Sequence, residues 1–266
     1  MLRVASVPYL VGRPLDIGLE EEPGIRFWTA PPAELVKGLR AGEIDVALVS
    51  SIELFRQPGY SYLDGICVGG ERFVSSVQVF LKEPIENVRQ VDLDPSSRTS
   101  ATLAQVIWPG SSTQRPRFFE VEPGSDPRAG NGQAWLRIGD ACMREYLAQD
   151  APQVLNLSEE WREMTGLPFV FALWVIRPGV DVGPYLPAFT RAFFRGQEEL
   201  PSLAREGANS LGVPYEAVRR YLFEECAYEL SERMSPALVA FRDRAAKLDL
   251  ARSDLNPQPI RVAVTQ

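Results

Sequence analysis

Residues 169 to 176 read FVFALWVI, eight consecutive apolar side chains with no polar alternation. A strand of that composition must be buried on both faces, so it belongs in the middle of a sheet covered by helices. The amino-terminal part supplies the rest of such a sheet. LRVASVPY (2–9) reads as a strand, RPLDIGLEEEPG (13–24) as a short helix closed by Pro23 and Gly24, and IRFWT (25–29) as a second strand. PPAELVKGLRAGEIDVALVSSIELFR (31–56) then reads helix, turn, strand, helix. This β-α-β-α order predicts an α/β fold with a largely parallel sheet and ligand contacts at the carboxyl ends of the strands.

Farther along, ICVGGERFVSSVQVFLKEP (66–84) predicts a long extended run, with Gly69 and Gly70 as a flexible turn and Ser75 and Ser76 interrupting the apolar pattern. WPGSSTQRPRF (108–118) is a turn region, and AWLRIGDACMREYLA (134–148) repeats the strand-to-helix order. From Pro184 onward the pattern is helical, punctuated by Gly212, Pro214 and Pro236, with no further strand expected. A helical tail needs a sheet to pack on. The simplest arrangement is one lobe of residues 1–77 with 176–266, a second lobe of 78–175, a cleft between them, and 74–82 and 168–177 as paired crossing strands.

Composition narrows the chemistry. The chain has 266 residues and no histidine, which removes imidazole bases, Ser-His-Asp triads and histidine-rich metal sites. Cys67, Cys142 and Cys226 form no CxxC pair, and buried apolar filling is their expected role. Lysine occurs only at 37, 82 and 247, so Schiff-base chemistry has few candidates and the positive charge is nearly all arginine. A net charge of −7 argues against an extended nucleic-acid surface. The amino terminus MLRVASVPYLVG is too poor in apolar residues for a signal peptide, and FVFALWVI is too short to span a bilayer. A soluble, cytoplasmic protein without metal or cofactor is expected.

The candidate site is a set of hydroxyls at strand-to-helix junctions. In DLDPSSRTSATLAQVI (92–107), Ser96, Ser97, Arg98, Thr99 and Ser100 surround a predicted helix N-terminus, where unpaired backbone N–H groups, hydroxyls and a guanidinium could trap a carboxylate or phosphate. Ordinary capping by one Ser or Thr is the alternative. Ser50 and Ser51, where strand 45–49 gives way to a helix, carry the same two readings: ligand donors or caps. Ser75 and Ser76 mark either a polar contact or a solvent-facing edge. Asp140, after Gly139, reads first as a helix N-cap complementing the dipole, with contact to a ligand hydroxyl as the rival role. Phe169, Phe171 and Trp174 read as core ahead of a ligand platform.

In order, YLVGRPLDIGL, ELVKGLRAGEIDVALVSSIE, GGERFVSSVQVF, LDPSSRTSATL, AWLRIGDACM and TGLPFVFALWV resemble the menaquinone-biosynthesis chorismate dehydratase family of the futalosine pathway, over residues 2 to 177 and more weakly through the helical tail. The resemblance implies a two-lobed, periplasmic-binding-protein-like (type II) fold and a hydro-lyase that converts chorismate to 3-[(1-carboxyvinyl)oxy]benzoate and water. A dicarboxylate substrate fits anion sites from both lobes, with Tyr9, Ser50, Ser51, Ser75, Ser76, Ser97, Arg98, Thr99, Ser100, Gly139 and Asp140 as the binding set. Without histidine, the base is a carboxylate, a tyrosinate, a water or the substrate's own carboxylate. The last is favoured, with Asp140 as the protein alternative. Where the family usually shows Tyr-Leu-Asn, this chain has Tyr9-Leu10-Val11.

Two other readings compete. Dihydroxynaphthoate synthase of the same pathway shares the fold, but it is understood to use a histidine. A non-catalytic small-anion-binding protein of the same fold is the other, since fold does not dictate function.

Overall fold

In the computed structural model, which describes residues 1–108 and 115–264, the apolar run 169–176 is hydrogen-bonded to a neighbour on each side. Numbered along the chain, β1 (Leu2–Ser6), β2 (Ile25–Thr29), β3 (Val46–Ser50), β4 (Ser61–Asp64) and β5 (Ile66–Gly70) share an eight-stranded sheet with β11 (Phe169–Ile176), β12 (Cys226–Glu229) and β13 (Gln258–Arg261). The intervening β6 (Val77–Leu81), β7 (Gln90–Leu93), β8 (Arg117–Glu120), β9 (Ala134–Ile138) and β10 (Val154–Asn156) form a second sheet, in the order β10-β6-β9-β7-β8. The helices are α1 (Arg13–Asp16), α2 (Pro32–Ala41), α3 (Arg98–Ile107), α4 (Gly139–Tyr146), α5 (Leu157–Thr165), α6 (Leu186–Glu198), α7 (Leu200–Leu211), α8 (Tyr215–Arg220) and α9 (Met234–Ala246).

The main path of the larger sheet runs β12-β5-β11-β3-β1-β2, which puts β11 in the middle. Leu173, Trp174, Val175 and Ile176 are fully buried, each contributing about 1.5–3 kcal/mol of apolar transfer free energy. Phe169 joins Trp161 and Phe241 in an edge-on aromatic cluster, the core role expected of it. Helix α6 packs on α1 at very close range: a Cβ on Gly196 would lie 1.9 Å from the Pro14 carbonyl oxygen. Glycine is therefore required there, seating the short helix that follows the segment carrying Tyr9 and Val11.

Several expectations are corrected. Strands β1, β2 and β3 are parallel, but β11 runs antiparallel to β3, β4 and β5, so the sheet is mixed. Segments 74–82 and 168–177 are not paired crossing strands, because β6 pairs with β9 and β10 while β11 stays in the larger sheet. The chain changes sheet through residues 71–76 and returns through α5, so it is already back in the larger sheet before residue 176. Gly69 and Gly70 are not a turn. They end β5 and pair with Val170 and Phe169, and a Cβ on Gly70 would lie 2.4 Å from Val74 Cγ2. The helix expected over 13–24 is broken at Gly18, whose φ of +89° suits glycine, into α1 and a short 3-10 turn at Leu19–Glu21. The tail expected to be wholly helical adds β12 and β13 to the larger sheet. Most of the turn region 108–118 lies outside the described residues. No helix among the described residues is long and apolar enough to cross a membrane.

Candidate active site

A cleft with a cavity volume of about 90 Å³ opens at the carboxyl ends of the parallel strands. From the larger sheet it is lined by Val7, Tyr9 and Val11 after β1, Val49 and Ser50 at the end of β3, Val68 and Gly69 of β5, and Phe171 and Ala172 of β11. From the smaller sheet come Ser76 and Val77 at the start of β6, Ser96, Ser97, Thr99 and Ser100 after β7, and Ile138 and Gly139 after β9. This is the placement that strand-to-helix junctions of an α/β sheet favour for ligands.

The junction after β7 is organised by Asp94, whose Oδ1 accepts hydrogen bonds from the Ser96 amide (2.9 Å) and hydroxyl (2.5 Å). The turn delivers Ser97 to the N-cap of α3, but its side chain makes no capping bond, and its buried Oγ has no partner. The backbone N–H groups of the first helical turn also lack intrahelical partners. An unspent hydroxyl beside unspent amides is an arrangement that can receive an anion, with the Asp94 carboxylate engaged by Ser96. Capping alone would have used the hydroxyl.

Of the residues expected in the site, Tyr9, Ser50, Ser76, Ser97, Thr99, Ser100 and Gly139 line the cleft, whereas Ser51, Ser75, Arg98 and Asp140 do not. Ser51 Oγ donates to the Val170 carbonyl (2.7 Å). The Ser75 amide and hydroxyl both donate to Glu225 Oε2, at 2.7 and 2.5 Å. Arg98 lies beside Arg56, near enough that its charge helps hold down the Arg56 pKa, after burial as the larger cause. Asp140 is not the N-cap of α4. That position is Ile138, and Asp140 Oδ1 instead accepts the Leu10 amide at 3.2 Å, tying α4 to the loop after β1. Thr99 spans the same divide, with Oγ1 accepting the Ile52 amide at 3.3 Å.

Gly139 serves by having no side chain. Its φ is +65°, its N–H donates to the Ser76 carbonyl at 2.8 Å, and a Cβ would press within 3.3 Å of the Tyr9 ring. Sequence reasoning missed Phe171 as a lining residue because it lies in a run that reads as core. It also missed Tyr221, whose hydroxyl donates to Ser76 Oγ at 2.8 Å from 145 positions along the chain. Cys226, expected to be apolar filler, reaches the cleft wall, while Cys67 and Cys142 are fully buried.

No Asp, Glu, Lys or Arg lines the cleft among the described residues. Burial raises the Tyr9 phenol, partly offset by a hydrogen bond with Ser96, and raises the Tyr221 phenol well above its ordinary value. Burial also pushes the Cys226 thiol up to about 12. Near neutral pH the walls therefore present neutral donors and apolar surface, with no ready proton acceptor.

Two sheets joined by two crossings, with a hydroxyl-lined cleft between them, define a two-lobed protein of periplasmic-binding-protein-like fold. Solved structures of that architecture superpose on nearly the whole chain. A protein of Archaeoglobus fulgidus gives a TM-score of 0.74 at 17% identity, covering 94% of this chain and 98% of its own. The alkanesulfonate-binding protein of Xanthomonas axonopodis pv. citri gives 0.68 at 16%, covering 94% and 93%. The family model described as menaquinone biosynthesis matches residues 2–247, and the chain belongs to that family. Among curated relatives, the chorismate dehydratase of Thermus thermophilus is 30% identical over 260 residues, 89% of this chain and 94% of that protein. The chorismate dehydratase of Campylobacter jejuni is 28% identical over 255 residues, 92% and 98% respectively.

Proposed function

We propose that this chain is a chorismate dehydratase, a hydro-lyase of the cytoplasm that removes water from chorismate to give 3-[(1-carboxyvinyl)oxy]benzoate. Family membership and the two curated relatives support the substrate. The observation that carries the mechanism is a cleft with hydroxyl donors from both sheets and, among the described residues, no carboxylate or amine side chain on its walls.

The reaction breaks the ring C3–H and C4–OH bonds and forms the last double bond of a benzene ring. Aromatisation supplies the driving force, so the protein has to hold the ring, align a proton acceptor and stabilise the departing hydroxide. The α3 corner at Ser97, Thr99 and Ser100 receives one substrate carboxylate, and Ser50 and Ser76 face it from other parts of the wall. Val11, Val49, Val68 and Phe171 provide apolar surface for the ring. With no carboxylate, imidazole or amine on the walls among the described residues, the substrate's side-chain carboxylate takes the C3 proton. The hydroxide leaves from C4, and the proton and hydroxide together account for the water lost.

Incubation with chorismate, followed by mass spectrometry for an aromatic enolpyruvyl ether, tests this reading. Appearance of that product at enzyme-dependent rates is expected. Tight binding of chorismate with no product would favour a non-catalytic anion-binding protein, the second reading that an uncharged cleft supports.

A further inference from the structure

Between α8 and β12 the chain makes a π-helical turn, Tyr221–Glu225, a rare form that is frequent at functional sites. Both ends of this turn reach the first crossing between the sheets. Tyr221 is 1% exposed and its hydroxyl donates to Ser76 Oγ at 2.8 Å. Glu225 is 9% exposed, and its Oε2 accepts the Ser75 amide and hydroxyl while Oε1 accepts Arg220 Nε at 3.0 Å. On the other side, the Ser76 carbonyl accepts the Gly139 amide at 2.8 Å. Adjacent serines are thus gripped by one turn, Ser75 by a carboxylate and Ser76 by a phenol. Only Ser76 faces the cleft.

A serine hydroxyl has one proton to give and two lone pairs. When Tyr221 fills a lone pair on Ser76, the Ser76 proton has no reason to turn back towards the tyrosine and is available to a ligand. Burial keeps the Tyr221 phenol protonated, so it remains a donor throughout the ordinary pH range.

Resting on the functional reading above, we propose that Tyr221 and Glu225 are positioning residues that set Ser76 as a hydrogen-bond donor to the reacting substrate. Tyr221 orients the Ser76 proton, and Glu225 fixes the peptide immediately before it. Tyr221 lies on the cleft wall with its hydroxyl proton engaged by Ser76, and Glu225 lies off the wall. Their effect is therefore transmitted through Ser76 and should vanish when that hydroxyl is absent.

The test compares Tyr221→Phe, Glu225→Gln and Ser76→Ala, singly and combined, in chorismate turnover. Each of the first two should lower kcat about tenfold, as expected for loss of one oriented hydrogen bond, with KM within about twofold of wild type. In the Ser76→Ala background neither should lower kcat further, the non-additivity of residues acting through one group. Circular dichroism melting identifies any variant that fails to fold. Tyr221→Phe, which removes a single oxygen, stands as the test if Glu225→Gln does not fold. Wild-type turnover with kcat unchanged in Tyr221→Phe, or with losses that add to that of Ser76→Ala, overturns the positioning role and leaves the functional reading standing. A wild-type chain that binds chorismate without converting it overturns the enzymatic reading. The same variants are then compared by dissociation constant, where an unchanged value for Tyr221→Phe overturns the positioning role as well. Absence of both binding and turnover overturns both.

Discussion

At the amino-terminal end of β3, Asp45 sits between two arginines, accepting from the Arg3 backbone and guanidinium (2.9, 3.0 and 2.7 Å) and from Arg177 Nε (2.9 Å). Beyond the carboxyl end of β1, Asp16 is fully buried with one ion pair, to Arg13 at 2.9 Å, and its Oδ2 has no partner. The same side chain responds in opposite ways. Burial alone would raise Asp45, but the hydrogen bonds from Arg3 and Arg177 prevail and hold it at about 2. For Asp16 burial prevails over help from Ser6 and Arg13, and the pKa rises to about 6. One end of the sheet is saturated with compensating charge, and the end nearer the cleft is kept poor in it. On the proposed reading the cleft receives an anionic substrate and gains from unspent neutral donors, while Asp16, off the cleft wall, remains under-compensated. The opposite end carries no such requirement and spends its charges on stability.

Replacing Asp45 should expose this division most strongly. Asp45→Ala leaves two guanidiniums that are each about a third exposed, at 34% and 29%, and so partly rescued by water. The loss should fall between the values for surface and fully buried pairs, about 2–3 kcal/mol in denaturant unfolding. Turnover per folded molecule should be unchanged. Because the folded-state pKa is depressed, the wild-type contribution is present above about pH 4 and is lost as pH falls towards 2, and Asp45→Asn should flatten that limb. A matching loss of kcat would show that the far end of the sheet is coupled to the cleft.

Asp16 should give the mirror-image profile. Between about pH 4 and 6 the folded state holds a proton that the unfolded state has released, so stability falls as pH rises through that window. The total change is roughly 2–3 kcal/mol, and Asp16→Asn should remove the slope. Unfolding curves at half-unit pH steps would decide, and an unchanged slope in Asp16→Asn would assign the titration elsewhere.

Third in size are the cleft hydroxyls. Ser100→Ala should weaken chorismate binding by about 0.5–1.5 kcal/mol, and more if the lost partner is a carboxylate, with little change in melting temperature. Thr99→Ala should lose a similar amount of binding and also some stability, because its hydroxyl already accepts the Ile52 amide across the cleft. If both variants bind and turn over normally while stability falls, the α3 terminus is a structural cap only.

The two ends of the sheet were not equally legible in the sequence. Strand-to-helix order and hydroxyl-rich junctions are local signals, and Ser50, Ser97, Thr99 and Ser100 could be placed near a ligand from short-range pattern alone. Pairing is not local. Nothing in FVFALWVI distinguishes a parallel from an antiparallel neighbour, and Gly69-Gly70 reads as a turn unless the crowding by Val74 is known. Short edge strands such as β13 carry too little apolar pattern to stand out from a helical tail. Tyr221 and Glu225 reach the crossing only through the extra residue of a π turn, which has no sequence period of its own. Asp45 could not be recognised as the hub of an ion-pair network, because its partners lie 42 and 132 positions away.

The smallest effect is expected at Asp140, where it also bears most directly on mechanism. Burial raises its pKa, with the Leu10 amide and the Arg144 charge opposing, so a perturbed carboxylate does lie close to the cleft. Its Oδ1 is nevertheless occupied by the Leu10 N–H, and its side chain is not part of the cleft wall. Asp140→Asn retains a carbonyl oxygen for that bond and should change stability and turnover by no more than about 0.5 kcal/mol. Asp140→Ala removes the link between α4 and the loop after β1, and should cost about 1 kcal/mol of stability with a modest rise in KM. A base would behave otherwise. If Asp140→Asn folds and binds chorismate normally yet loses turnover by several orders of magnitude, Asp140 takes the C3 proton, and the cleft's lack of charged walls ceases to be the feature that defines the chemistry.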